Sequence, residues 1–222
     1  MDWTTFLILS VFILVIFFLL FKQRQTSRLN YIKNYSFHNA IEKKLSEKHP
    51  HLNKNQLQLV FRGLRDYFWM NNKAQHRMVA MPSQVVDDAW HEFILFTRNY
   101  QTFCQRALGR YLHHTPSEAM KRPTIAQDGI KRAWRLACAN ENINPASAHK
   151  LPLIFAIDTL LNIPNGFRYS LNCRDTNSPA GDYCAGHIGC SSGCAGDSPD
   201  TSSGGGFLDS SGCSGDSGCG GD

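Results

Sequence analysis

Between Asp87 and His114 the chain places two aspartates, three histidines and a cysteine: Asp87, Asp88, His91, Cys104, His113 and His114. Asp87 lies four residues and Asp88 three residues before His91, so on a helix either carboxylate reaches the imidazole. A carboxylate that orients a histidine serves two chemistries, fixing a metal-ligating ring and supporting a general base. The same pair also satisfies a structural histidine near a helix start, which is the plainer reading. As ligands, His91, Cys104, His113 and His114 suit a zinc-like divalent metal.

Spacing limits which of these residues can share one site. His91 and Cys104 are 13 positions apart, which in an unbroken helix is about 20 Å along the axis and on nearly opposite faces. One ion cannot bridge them unless the helix breaks. From His91 to Gly109 the helical rise is about 27 Å, and the four residues on to His113 recover at most about 14 Å. His91 therefore shares a site with His113 only if its helix ends early or other groups bridge the pair, whereas Cys104 meets His113 or His114 more easily, once the chain folds back after Gly109. Taken singly, Cys104 beside Phe103 reads as a small buried hydrophobe. Trp90, Tyr100 and Phe103 read as core.

The elements that must carry these residues are helical. Ser36 is a candidate cap for a helix with an apolar stripe at Phe37, Ile41 and Leu45, ending before Pro50. Asn53 leads into a second helix through Leu57, Val60, Phe61, Leu64, Tyr67 and Phe68, with Asn71-Asn72 at its end. Ser83 caps a third, which the periodicity extends through Trp90, Ile94 and Cys104 to Gly109, with Asp87 and Asp88 early, where negative charge suits the helix dipole. Thr115 to Glu118 forms a capping box for a short helix over 116–122. Ile130, Ala133, Trp134 and Ala137 mark a further helix. Leu151 to Leu161 marks a buried one, opened by Pro152 and turned by Ile163-Pro-Asn-Gly166. With no alternating apolar run to pair as a sheet, the expected fold is all-α: about six helices over residues 36–171.

The stretch PSQVVDDAWHEFILFTRNYQTFC followed by GRYLHHTP resembles the bacterial branch of the glycine-rich domain-containing protein family, with its pattern VDxxWHxxI…Y…FC…G…HH. GLRDYFWM upstream, and AWRLAC and LPLIFAIDTLLNIPNGFRY downstream, extend the likeness over roughly residues 35–170. It implies a helical domain and supplies no activity. In eukaryotic members a second His stands two positions after the Trp-His pair; here that residue is Phe93.

Trp3 to Phe21 is apolar except for Thr4, Thr5 and Ser10 and carries no charge. As a helix it spans about 28 Å, the thickness of a bilayer's hydrocarbon core. Asp2 before it and Lys22, Arg24, Arg28 and Lys33 after it read as an uncleaved anchor over residues 1–21 with a basic linker over 22–35. The charge asymmetry predicts the N-terminus outside and the body on the cytoplasmic face of the cell membrane. In that reducing compartment the eight cysteines are expected as thiols or ligands, not bridges.

Residues 1–171 hold 22 Lys+Arg against 11 Asp+Glu, while the last 51 residues hold one Arg and seven Asp. Those last residues, 172–222, include 13 Gly and 10 Ser and read as a disordered acidic tail. Cys184, His187, Cys190 and Cys194 there form a weaker soft-ligand set, in no recognised zinc-module spacing. Phosphate-loop, nucleophile-elbow and HExxH motifs are absent from the sequence. The basic residues cluster after the apolar run, so the lipid bilayer is the expected partner and no specific nucleic acid is. The simplest function is an interaction or scaffold module with a protein partner on the cytoplasmic face. The alternative is a metal- or thiol-dependent enzyme using the 87–114 cluster.

Overall fold

The computed structural model describes residues 3–114, 123–171, 183–185 and 188. Helix α1 (Trp3–Lys33) is one unbroken element. Its apolar part is long and apolar enough to cross a membrane, and the most apolar stretch of it is buried against nothing else in the chain. Residues 22–33, expected as a linker from their charge, continue the same helix, and Ile32 at its far end is buried in the body. Lys22, Arg24 and Lys33 are exposed, whereas Arg28, on the face of Ile32, packs against Gly109.

Helix α2 (Asn39–Lys48) starts two residues later than Ser36 would have it, capped by the His38 ring, whose Nδ1 accepts from the Ala40 amide at 3.1 Å. Phe37 precedes the cap and stacks on Phe61, 5.0 Å between centroids. Helix α3 (Lys54–Ala74) follows Asn53 as the sequence suggested, opens with a reciprocal capping box between Asn53 and Gln56, and runs two residues past Asn72. Asn72 is held inside the helix because its side chain donates to the Ala107 carbonyl at 2.7 Å.

The expected helix from Ser83 to Gly109 is two helices, α4 (Gln84–Leu95) and α5 (Thr97–Ala107), broken at Phe96. Aromatic packing accounts for the break. In a straight helix Phe93 and Phe103 would stand about 15 Å apart along the axis; here their rings are 5.4 Å apart, with Tyr100 5.3 Å from Phe93. Phe68 and Tyr35 close on Phe103 at 4.6 Å each. Each such pair adds about 0.5–1.5 kcal/mol beyond its buried area, so the four together offset the few hydrogen bonds, each of about the same worth, lost where the helix breaks.

Helix α6 (Pro123–Asn140) buries Ala133, Trp134 and Ala137, and α7 (Leu153–Leu160) follows Pro152 as expected. The helix expected over 116–122 lies outside the described residues. Seven helices among the described residues share one core, so the fold is all-α.

One feature departs from the all-helical expectation. Strand β1 (Tyr169–Ser170) pairs in parallel with β2 (Tyr183–Cys184), which comes from the region expected to be tail. Ala185 is buried beyond it, and Tyr183 packs on Tyr169 at 5.7 Å. A two-residue pairing carries no period that a sequence pattern can reveal.

Candidate functional site

The first turn of α4 carries Asp87, one of the candidate ligands, and a residue 75 positions from Ser83 holds that turn in place. Ser83, the expected cap, accepts from the Val86 amide at 3.2 Å and donates to Asp158 Oδ1 at 2.7 Å. Asp158, itself buried on α7, also accepts from the amides of Gln84 at 2.7 Å, Val85 at 3.2 Å and Phe167 at 2.9 Å. It thus supplies the acceptors that the free amides at a helix start require, and places negative charge at the positive end of the dipole. Gly166 makes room for it, since a Cβ there would lie 2.7 Å from Asp158 Cβ. Nothing in the local sequence pointed to Asp158.

The second half of the site comes from the chain after α5. Gly109, at φ +72°, turns it back, a conformation that favours glycine. Trp90 Nε1 donates to the Tyr100 hydroxyl at 3.1 Å, and that hydroxyl donates to the Leu112 carbonyl. Cys104 is fully buried beneath the same turn, beside Tyr100 and the Leu112 amide, and burial pushes its thiol pKa up. The residues expected as core therefore also fix the returning loop, and His114 arrives with its ring 4.7 Å from Trp90.

There His114 Nε2 lies 3.1 Å from Asp87 Oδ1, and His91 Nδ1 lies 3.7 Å from Asp87 Oδ2. The two imidazoles are 4.2 Å apart. One ligand atom from each of Asp87, His91 and His114 falls within 4.8 Å of the others. Two nitrogen or oxygen ligands at ~2.0–2.1 Å from a tetrahedral zinc stand roughly 3.3 Å apart, so the spacing suits a first-row divalent ion with little movement. Two imidazoles and a carboxylate leave further coordination positions open, and His91 is on the solvent side, 46% exposed.

The other expected members go elsewhere. His113 is exposed and packs on Tyr111 at 4.7 Å. Cys104 supports the loop and is not among the three grouped ligands. Asp88 points into the protein, where its carboxylate takes Lys48 Nζ at 2.6 Å, His49 Nε2 at 2.8 Å and Gln84 Nε2 at 3.2 Å. Burial alone would raise the Asp88 pKa, but these hydrogen bonds, with the Lys48 charge, outweigh it and hold the carboxyl below its usual range. The sequence missed Lys48 and His49 as its partners. Of the weaker set, Cys184 is disulfide-bonded, so its sulfur is not free as a thiolate ligand and the expectation of unbridged cysteines fails there. His187, Cys190 and Cys194 lie outside the described residues.

The fold and site define an all-α domain, carried on a long apolar N-terminal helix, with an Asp/His cluster of metal-binding geometry. A family model matches residues 27–188, and the chain belongs to the UCP032817-like family, which is uncharacterised. The match starts where α1 docks into the body and ends just beyond β2, so it includes the segment that folds back. Neither the curated proteins nor the solved structures contain a match.

Proposed function

We propose that this protein is a membrane-anchored helical interaction module that binds one divalent metal, of the zinc type, through Asp87, His91 and His114. The observation that carries the reading is the convergence of three ligand atoms from two separate segments, with Trp90, Tyr100 and Cys104 behind them fixing the loop that delivers His114. The likeness to glycine-rich domain-containing proteins belongs to this reading, since its Trp-His, Tyr and Phe-Cys elements are the residues that build the site and its support. The charge asymmetry around the apolar run favours a body on the cytoplasmic face of the cell membrane, with a protein partner there.

Elemental analysis of the purified full chain tests the metal. One equivalent is expected in the wild type and none in Asp87→Ala, His91→Ala or His114→Ala, while Cys104→Ala keeps the metal. A folded wild type that takes up no divalent ion would return the cluster to a structural role.

Two observations favour second readings. Three ligands with open positions and an exposed His91 are the arrangement of catalytic sites, whereas structural zinc sites are closed by four, so hydrolytic activity of the loaded protein is the next assay. The disulfide at Cys184 favours an oxidising compartment, and therefore the opposite orientation. A membrane-impermeant thiol reagent applied to intact cells before and after reduction separates the two orientations.

A further inference from the structure

Because α1 is continuous, its contacts with the body give the body's orientation along the membrane normal. Counting away from the apolar run, Arg28 meets Gly109, where a Cβ would lie 2.8 Å from the guanidinium carbon. Tyr31 then meets Phe103 at 5.9 Å, and Tyr35 meets both Phe103 and Phe93. Helix α5 therefore runs antiparallel to α1, with its C-terminal end toward the apolar segment. Helix α3 points the same way. Its Phe61 is level with Phe37, its Phe68 with Phe103, its Asn72 with Ala107, and the Gln75 carbonyl after its end accepts from Arg110.

Two helix C-termini thus face the bilayer beside the stem of α1. The seven residues from Phe21 to Arg28 rise about 10 Å, and the headgroup layer on one side is roughly 5–8 Å thick. The end of the body formed by residues 73–77 and 105–111 consequently sits at the outer edge of the headgroups. Residues 73–77 and 105–111 themselves carry only cations. Lys73, Arg77 and Arg106 are exposed there and Arg110 half-buried, while Lys22 and Arg24 project from the stem below them. No Asp or Glu occurs in residues 3–41, 67–86 or 93–114, which supply the stem and these two helix ends; the nearest described carboxylate toward α6 is exposed Asp128, beside Gly129 where it meets Met78 and Ala80. Exposed Tyr111 and half-buried Trp69, whose ring lies 5.5 Å from Lys73 Nζ, add the amphipathic aromatics that suit a membrane interface.

We infer that this end of the body is a docking surface for anionic phospholipid headgroups, which holds the domain against the bilayer in one orientation. It rests on the reading of α1 as membrane-spanning. Helix C-termini repel anions through their dipoles, so the side-chain cations are what make the surface attractive to lipid.

The test is amide hydrogen exchange on the full chain in nanodiscs of phosphatidylcholine alone and of phosphatidylcholine with phosphatidylglycerol. Residues 73–77 and 105–111 are expected to exchange about fivefold or more slowly in the anionic discs, the scale of one basic residue at a charged surface. The difference should vanish in high salt and in an Arg77→Glu/Arg106→Glu variant. Equal exchange in both lipids, with residues 3–21 protected in each, would overturn the docking surface while leaving the anchor intact. Residues 3–21 left unprotected in both discs would instead overturn the membrane-spanning reading, and the docking surface with it.

Discussion

Asp87 and Asp88 are neighbours on one helix turn and have opposite fates. Asp88 is buried, its oxygens taken by Lys48, His49 and Gln84, with nothing left to offer an incoming group. Asp87 is partly exposed and lies between two imidazoles, of which one faces solvent, with one potential ligand atom from each of the three residues within 4.8 Å of the others. A satisfied buried carboxylate holds structure together, whereas one that gathers ligands at the surface is available for chemistry. The 100° step between successive helix positions is what separates them.

The strongest way to break the comparison is to remove the support both aspartates share. Asp158→Ala strips four donors of their acceptor at the start of α4 and is expected to destabilise the fold by about 3–5 kcal/mol in denaturant titrations, with loss of the metal as a consequence. Asp88→Ala leaves His49 buried without its partner; a loss of about 2–3 kcal/mol is expected, discounted from the range for fully buried pairs because Lys48 is half exposed.

The pH dependence sharpens the same point. Asp88 has a depressed pKa in the folded state, so its contribution is complete above the unfolded value near 4 and disappears as pH falls through the folded one. Melting temperatures measured from pH 6 downward should therefore fall in the wild type and flatten in Asp88→Asn. Asp66 supplies the opposite sign. Burial pushes its pKa up to about 6, against the Asn140 hydrogen bond that lowers it, so its ionisation above that pH works against folding. Asp66→Asn, which keeps an acceptor for Asn140, should stabilise the protein by roughly 1–2 kcal/mol at pH 8 and by little below pH 4.

Asp87→Ala has the smallest expected effect on the metal-free fold, under about 0.5 kcal/mol, as for surface changes generally. Its signature is different in kind. The wild type should gain about 2.7 kcal/mol at a metal concentration a hundred times the dissociation constant, and the variant none, in paired melts with and without zinc.

Much of this was legible in the sequence because the signals are local. The long apolar helix, the helix start after Asn53, the cap at Ser83, the opening of α7 at Pro152 and the buried character of Cys104 each follow from neighbouring residues. Of the two routes that spacing left for His91 to share a site with the histidine pair, an early helix end or bridging by other groups, the chain takes the first, at Phe96. The break itself was not legible, since no proline or glycine marks it and the aromatic rings that drive it meet across turns and from α1 and α3. The roles of the two aspartates, the identity of Asp158 as the support of α4, and the return of Tyr183 to Tyr169 all depend on partners tens of residues distant.

By itself, then, the amino-acid order determined that the chain is helical, that its first segment suits a bilayer and that its candidate ligands cluster between residues 87 and 114, because hydrophobic period, capping and charge act over a few residues. Only the tertiary structure decided which histidine joins His91, which aspartate is spent on the core, and that the basic ends of α3 and α5 share one side with the anchor. Those outcomes depend on packing between elements distant in sequence, where the aromatic core, and not any local preference, sets the geometry.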